Sequence, residues 1–190
     1  MPAYVFAIIS AGWFAWGVPF FLIKRGPSAE RIDSRARWGI LLEGIGFALV
    51  WPQPLWIASP APWRVALGAA SLTTGALLSW TSARALGRQW RFDAGLNADH
   101  QLVQSGAYRI VRHPIYTSML CMLAGTGLLL ARLSLLAIAI AFFLVGTEIR
   151  VRIEDRLLAS RFGQEFDDYR RRVHAYLPFV TLTSSRSGKD

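Results

Sequence analysis

Residues 4–23, YVFAIISAGWFAWGVPFFLI, form a run of 20 residues without a single charged side chain. A bilayer core about 30 Å thick is crossed by a helix of roughly 20 mostly apolar residues. The run has neither the positively charged leader nor the small-residue cleavage site of a signal peptide, so a spanning helix is favoured. This stretch therefore predicts a membrane protein built from helices.

Four further apolar runs follow, at residues 38–58, 65–83, 115–131 and 133–147. Together with the first they predict an all-α, polytopic integral membrane protein with about five transmembrane helices. Arg132 alone separates the last two runs, so we expect a tight helical hairpin there. Each arm of that hairpin is short, which leaves a partly buried pair as the alternative. Pro52 and Pro54 are expected to kink the second helix or to end it early.

The basic residues are distributed unevenly between the two sides of these helices. Of 21 Lys and Arg residues, 19 lie after the first, third or fifth run, and only Arg64 and Arg132 lie on the other side. Because short cytoplasmic loops carry the Lys/Arg excess, we expect the N-terminus outside and the C-terminus in the cytoplasm. The net charge of +9 then requires no nucleic-acid partner. Ala- and Arg-rich usage and the compact length favour a bacterial inner membrane; the oligomeric state is left open.

Cysteine and histidine usage predicts no metal site. Cys121 is the one cysteine of the chain, so it can form neither an intrachain disulfide nor a zinc site. The three histidines, His100, His113 and His174, lack the spacing of metal ligands.

Polar residues crowd the start of the fourth apolar run, in the stretch YRIVRHPIYT at residues 108–117. Gly106 offers a turn just before it, and Pro114 suits the first turn of a helix. Arg112, His113 and the free N–H groups of that helix start would converge on one place, which predicts an anion site. Tyr116 lies one helical turn past Arg112 and on the same face. Positive-inside topology alone accounts for Arg109.

A second informative segment follows the fifth run. Apolar residues recur there at helical spacing from Ile149 to Phe162, which predicts a cytoplasmic amphipathic helix that breaks or bends at Gly163. Glu154 and Asp155 are adjacent carboxylates on this helix. Either they pair with Arg150 or Arg152, or they hold a cationic or hydroxyl-bearing ligand. Residues 181–190 are small and polar and are expected to be disordered.

These two segments together resemble a known family. The stretch HQLVQSGAYRIVRHPIYT at residues 100–117, followed by RVRIEDRLLASRFGQEFDDY at residues 150–169, resembles the isoprenylcysteine carboxyl methyltransferases and is similar to the related phospholipid N-methyltransferases. The sequence ALGRQW at residues 85–90 is similar to the same family. The resemblance covers residues 85–178, about half of the chain.

The resemblance implies an integral membrane enzyme that uses S-adenosylmethionine and methylates a lipophilic, membrane-borne acceptor. Residues 1–180 would then form one domain, with three membrane helices in 1–83 and the cofactor-binding half in 84–180. The residues implied in cofactor binding are His100, Gly106, Tyr108, Arg112, His113, Pro114, Tyr116, Glu154 and Asp155. Of these, Arg112, His113, Tyr116 and Glu154 are also implied in catalysis. The family's paired glutamates are Glu154 and Asp155 here, and a frequent family glycine is Ser118.

The chemistry of these side chains complements the cofactor. Arg112 suits its carboxylate, Glu154 and Asp155 its ammonium or ribose hydroxyls, and Tyr108 or Tyr116 its adenine or sulfonium. An acceptor carboxylate needs positioning rather than a base. An acceptor amine must lose a proton, for which His113 is the candidate. The acceptor is otherwise not identified by the sequence.

Two other functions are compatible with parts of the pattern. Membrane reductases of the sterol-reductase type share a related segment and bind NADPH, but they carry Asn where this chain has Ile115. A non-catalytic membrane protein that binds lipid headgroups is the second alternative.

Overall fold

The protein is described here from a computed structural model, which covers residues 1–23, 31–32, 34–89, 95–96 and 101–176. Within these residues the fold is helical apart from one pair of two-residue strands. The six α-helices are α1 (Ala3–Leu22), α2 (Ala36–Val50), α3 (Pro62–Leu86), α4 (Pro114–Leu130), α5 (Leu133–Phe162) and α6 (Gln164–Arg172). The antiparallel strands are β1 (Arg31–Ile32) and β2 (Gly95–Leu96), with Arg31 opposite Leu96. The predicted disordered tail, residues 181–190, lies outside the described residues.

Two of the helices are long and apolar enough to cross a membrane, namely α1 and α5. Helix α4 is apolar but shorter, with 17 residues. The all-helical architecture expected from the sequence is therefore confirmed, and two candidate membrane-spanning helices are present.

The helix ends follow local sequence signals. Pro114 is the first residue of α4, as predicted, and needs no N–H partner there. Helix α2 ends at Val50, immediately before the segment that contains Pro52 and Pro54, so the early end is the correct one of the two predicted outcomes. Helix α5 continues without interruption to Phe162 and ends at Gly163, whose φ of +52° lies in a region that favours glycine.

The helices pack in pairs at glycine-lined surfaces. Helix α2 lies along α5, α3 along α4, and α1 along α3. A Cβ atom at Gly46 of α2 would lie 2.7 Å from the carbonyl oxygen of Ala139 in α5. Similarly, a Cβ atom at Gly125 of α4 would lie 2.9 Å from the carbonyl oxygen of Gly68 in α3. Such small residues allow helix backbones to approach closely, as they do in membrane proteins.

The connection between α4 and α5 is closed by Arg64, which immediately precedes the apolar run at residues 65–83. The structure places Arg64 in the first turn of α3, where it is 8% exposed. Its Nε donates to the carbonyl oxygen of Leu128 at 2.7 Å, and Nη2 donates to that of Ala131. The guanidinium thus satisfies carbonyl groups at the end of α4 that no helical N–H can reach.

Candidate active site

The start of α4 is held in place by a segment that follows α6. Val111 forms a parallel bridge with His174, and the backbone N–H of Arg112 donates to the carbonyl oxygen of His174 at 2.8 Å. The N–H of His113 donates to the carbonyl oxygen of Ala175 at 2.7 Å. We call residues 173–176 the C-terminal strap. The N–H groups that the sequence analysis expected to face an anion are therefore partly occupied by this strap.

Helix α5 places two carboxylates directly against His113. Nε2 of the imidazole lies 2.8 Å from Oδ1 of Asp155, and Nδ1 lies 3.2 Å from Oε2 of Glu154. His113 is 7% exposed, so both contacts are shielded from solvent. An imidazole with a carboxylate at each nitrogen is arranged to carry two protons.

Arg112 approaches Asp155 from the other side. Its Nη2 lies 2.8 Å from Oδ2, so Asp155 accepts from His113 with one oxygen and from Arg112 with the other. Nη1 donates to the carbonyl oxygens of Val173 and Arg170. Its Nε is buried and has no hydrogen-bond partner within the described part of the chain. This nitrogen is therefore a donor that a ligand could engage.

Tyr116 connects the cluster to Arg150 of α5. Its hydroxyl donates to Oε1 of Glu154. On the face of its ring, the guanidinium carbon of Arg150 lies 4.8 Å from the ring centroid, a distance at which a cation is attracted to an aromatic face.

Arg150 in turn pairs with an acidic residue of α2. Its Nη1 lies 2.9 Å from Oε2 of Glu43, whose other oxygen accepts from Thr147 at 3.1 Å. Glu43 is 2% exposed. Glu43 is the single charged residue of the apolar run at residues 38–58, and the sequence motifs assigned it no role.

The electrostatics of the cluster are dominated by the two carboxylates. Burial alone would lower the pKa of His113, but hydrogen bonds and charge from Asp155 and Glu154 outweigh burial and raise the pKa to about 9. His113 is therefore protonated at neutral pH. Its charge and that of Arg112 balance those of Glu154 and Asp155. Nearby, burial raises the pKa of Tyr108 well above its usual value, and the charge of Glu154 acts in the same direction.

The structure brings together five of the nine residues singled out from the sequence: Arg112, His113, Tyr116, Glu154 and Asp155. The other four lie as follows: Pro114 begins α4, Gly106 and Tyr108 belong to the short 3-10 turn Gly106–Arg109, and His100 lies outside the described residues. The carbonyl of Tyr108 accepts from Tyr169 of α6 at 2.6 Å, which ties this turn to the same region.

The sequence left open whether Glu154 and Asp155 pair with Arg150 or Arg152 or instead hold a ligand. In the structure Arg150 forms an ion pair with Glu43 of α2, and Arg152 forms one with Glu148, which lies four residues before it on α5.

The sequence of this chain is similar to those of known proteins. The family model described as phospholipid methyltransferase matches residues 63–165, from the start of α3 to the start of α6. The match contains the RHP segment, both carboxylates and more than half of the chain. The chain belongs to the phospholipid methyltransferase family. The predicted resemblance to isoprenylcysteine carboxyl methyltransferases is also confirmed, because members of that group are among its relatives.

Three relatives of this phospholipid methyltransferase family member illustrate the similarity. It is 34% identical to the nickel-cobalt-cadmium resistance protein NccN of Alcaligenes xylosoxydans xylosoxydans, over 79% of this chain and 67% of that one. It is 34% identical to a probable protein-S-isoprenylcysteine O-methyltransferase of Oryza sativa subsp. indica, over 43% and 42%. It is 30% identical to protein-S-isoprenylcysteine O-methyltransferase B of Arabidopsis thaliana, over 62% and 61%. The chain thus spans less than half of the rice protein.

Among the described residues, no group of three or more His, Cys, Asp and Glu side chains is arranged to hold a metal ion. Cys121 is a free cysteine in α4.

Proposed function

We propose that the protein is an S-adenosylmethionine-dependent methyltransferase that acts on a lipophilic acceptor at the cytoplasmic boundary of the membrane. The observation that carries the proposal is the direct contact of Arg112, His113 and Tyr116 with Glu154 and Asp155, in a member of a methyltransferase family. Two of the relatives bear the name of protein-S-isoprenylcysteine O-methyltransferases. Their substrate class supports a lipophilic acceptor for this chain.

The side chains of the cluster fit the polar groups of this cofactor. S-adenosylmethionine carries a carboxylate, an ammonium and ribose hydroxyls, and when bound it supplies a methyl group activated by a sulfonium. The unpartnered Nε of Arg112 is a donor suited to a carboxylate. The side chain of Glu154 is 24% exposed, and its oxygens retain lone pairs for an ammonium or a hydroxyl. We assign further cofactor contacts to His100, Gly106, Tyr108, Pro114 and Asp155.

The state of His113 supports a carboxylate acceptor over an amine. A general base must be unprotonated to accept a proton from an amine, yet both nitrogens of His113 face carboxylates and its pKa is raised to about 9. A carboxylate acceptor carries its own nucleophilic oxygen and needs orientation only. We therefore assign His113 the role of a fixed cation that orients Glu154 and Asp155 rather than that of a base.

The proposal includes a topology. The helices α1 to α4 and the apolar first half of α5 cross the membrane five times, with the N-terminus outside and the C-terminus in the cytoplasm of a bacterial cell. The segment after the fifth crossing and α6 then lie at the cytoplasmic surface. Helix α6 supports this placement, because Phe166 and Tyr169 are buried while Arg170 and Arg171 are exposed. Reporter fusions after α2 and after α5 test it: an external reporter active after α5 contradicts the orientation.

Cofactor binding is tested with the purified protein in detergent, using S-adenosylhomocysteine as the ligand. We expect the ligand to raise the melting temperature of the wild type. The variants Arg112→Ala and Glu154→Ala should bind it at least about 100-fold more weakly, because each removes a charged side chain that we assign to the polar groups of the ligand. Arg109→Ala is the matched control, since Arg109 is exposed and lies three residues before Arg112 in the same motif. Binding by both cluster variants at wild-type affinity would overturn the assignment.

The alternatives are tested in the same assay. A reductase should be stabilised by NADPH and not by S-adenosylhomocysteine, and a non-catalytic lipid-binding protein by neither. Mass spectrometry of lipids that co-purify with the protein identifies candidate acceptors. Transfer of a radiolabelled methyl group to prenylcysteine-like carboxylates, compared with amine headgroups, then decides the acceptor class.

A further inference from the structure

Helix α2 carries one acidic residue, Glu43, in an otherwise apolar stretch from Trp38 to Val50. The helix lies outside residues 63–165, the part of the chain that matches the phospholipid methyltransferase family. Glu43 is nevertheless 2% exposed. Ionisable residues within membrane helices are costly and are usually retained for function. The presence of a buried charge at Glu43 therefore needs an explanation that the family motifs do not supply.

The carboxylate of Glu43 is fully engaged with α5. Oε2 lies 2.9 Å from Nη1 of Arg150, and Oε1 accepts from the hydroxyl of Thr147 at 3.1 Å. These contacts join residues 107 and 104 positions apart in the sequence. A charge-assisted bond of this kind fixes the direction of the guanidinium group as well as its location.

The backbone of α2 is shaped around the same arginine. A Cβ atom at Gly39 would overlap the side chain of Arg150 and would lie 2.6 Å from the carbonyl oxygen of Gly146. Gly39 lies one helical turn before Glu43, on the same face of the helix. The absence of a side chain at Gly39 and the carboxylate of Glu43 therefore act together to confine Arg150.

Arg150 carries this constraint into the candidate active site. Its guanidinium carbon lies 4.8 Å from the centroid of the Tyr116 ring, and the hydroxyl of Tyr116 donates to Glu154. Glu154 in turn contacts His113 at 3.2 Å. A continuous series of contacts thus leads from α2 to the carboxylates of the site.

Helix packing alone does not require a charge at this position. A buried ion pair is often no more stabilising than an apolar pair of similar volume, because both ions must lose their hydration. Apolar residues already hold α2 and α5 together further along, where Val50 belongs to the same buried cluster as Ala139 and Phe143. The ion pair is better explained by the orientation that it imposes on Arg150.

We propose that Glu43 is a positioning residue for the active site, which holds Arg150 against the ring of Tyr116 and thereby sets the position of Glu154. The inference rests on the proposed function, because the position of Glu154 matters for a ligand bound at the cluster. Glu43 itself touches neither the cofactor nor the acceptor. Its contribution should be visible at Tyr116 even when no ligand is present.

A spectroscopic experiment tests whether Glu43 positions Tyr116 when no ligand is bound. The chain contains five tyrosines, so incorporation of 3-fluorotyrosine gives a simple ¹⁹F NMR spectrum, in which Tyr116→Phe identifies the Tyr116 resonance. In Glu43→Gln we expect that resonance to shift, because the charge of Glu43 no longer holds Arg150 in this orientation. Val50→Ala is the control: it removes buried packing between α2 and α5 and should lower the melting temperature without moving the resonance.

A binding experiment tests whether Glu43 influences the affinity of the site for its ligand. Glu43→Gln should bind S-adenosylhomocysteine at least about tenfold more weakly, the loss typical of one hydrogen bond to a charged group. The double variant Glu43→Gln with Tyr116→Phe should bind no more weakly than Tyr116→Phe alone, because both changes interrupt one series of contacts. A merely structural Glu43 would instead give effects that multiply in the double variant, and that result would overturn the inference.

The possible failures can be told apart. A wild-type protein that does not bind S-adenosylhomocysteine overturns the proposed function and this inference together. A wild type that binds it, with Glu43→Gln binding equally well, overturns the inference alone. If Glu43→Gln does not fold, Glu43→Asp keeps the charge on a side chain one methylene shorter. The Tyr116 resonance should still shift in that variant, and an unmoved resonance contradicts the positioning role.

Discussion

The imidazole of His113 and the carboxylate of Asp155 are in direct contact, with 2.8 Å between Nε2 and Oδ1, although 42 positions separate them in the sequence. The second oxygen of Asp155 accepts from Arg112 at 2.8 Å. Asp155 therefore joins two cations of the RHP segment to α5. The resemblance described from the sequence implies a glutamate at this position, and the shorter aspartate reaches both partners.

The first prediction concerns the charge of Asp155. Asp155→Asn should lower the free energy of unfolding by about 3–5 kcal/mol, because it leaves the buried Arg112 without its carboxylate partner and a protonated His113 with one carboxylate instead of two. Asp155→Glu keeps the charge and should retain binding of S-adenosylhomocysteine. Thermal and denaturant unfolding in detergent measure the first effect, and ligand titration measures the second. Equal stability of the Asn and Glu variants would show that the charge does not matter.

The second prediction concerns pH. The pKa of His113 is raised from 6.5 to about 9, so its contribution to stability is fully present below pH 6.5 and is lost as the pH rises through 9. The difference between these two pKa values corresponds to a contribution of about 3 kcal/mol to the free energy of unfolding. The melting temperature should therefore fall between pH 6.5 and 9. Glu154 and Asp155 face the imidazole and keep their charges over this range, because burial, which would raise the pKa of each carboxyl, is outweighed by the hydrogen bonds and charge of His113, which lower it.

The control for this prediction is His113→Gln, which can still donate a hydrogen bond but does not titrate. Its melting temperature should be lower at pH 6.5 and should change less towards pH 9. A wild type whose stability is flat or rises over this interval contradicts the assignment of a protonated imidazole.

The sequence predicted where the helices lie along the chain better than it predicted which helices pack against one another. Apolar runs and proline positions located α1, α4 and the end of α2, since these features depend on neighbours along the chain. The contact between Glu43 and Arg150 spans 107 positions and depends on which helix faces lie together. That pairing is decided by close backbone approach at Gly39, Gly46 and Gly146, which leaves little trace in a hydropathy pattern.

The sequence also predicted only part of the candidate site. Of the nine residues that the motifs indicated, the structure brings five into one cluster, but the motifs did not indicate that Asp155 would accept from both Arg112 and His113. The C-terminal strap was not predicted, because His174 and Ala175 bind the start of α4 through their backbone carbonyls, and backbone hydrogen bonding carries no signature of side-chain type. Its position follows from where α6 ends, which is a tertiary property.

A third prediction concerns Arg64 at the end of α4. Arg64→Ala should reduce the free energy of unfolding by about 3 kcal/mol, because carbonyl oxygens of Leu128 and Ala131 lose a charged donor. Arg64→Lys should recover only part of this, since an ammonium lacks the forked geometry of a guanidinium. Both variants should bind S-adenosylhomocysteine like the wild type, because Arg64 caps the end of α4 opposite to His113. A large loss of affinity in a folded Arg64 variant would contradict this separation.

The fourth prediction compares two glycines of α2 that lie two residues apart. A Cβ atom at Gly44 would meet nothing within 4 Å, whereas one at Gly46 would lie 2.7 Å from the carbonyl oxygen of Ala139. Gly44→Ala should therefore be neutral or stabilise the protein by up to about 1 kcal/mol, through the higher helix propensity of alanine. Gly46→Ala should destabilise it by about 1–3 kcal/mol, because α2 and α5 must move apart. Thermal unfolding of both variants in the same detergent measures the difference. Equal melting temperatures would show that α2 does not pack on α5 at Gly46, and would also weaken the case for Glu43 as a partner of Arg150.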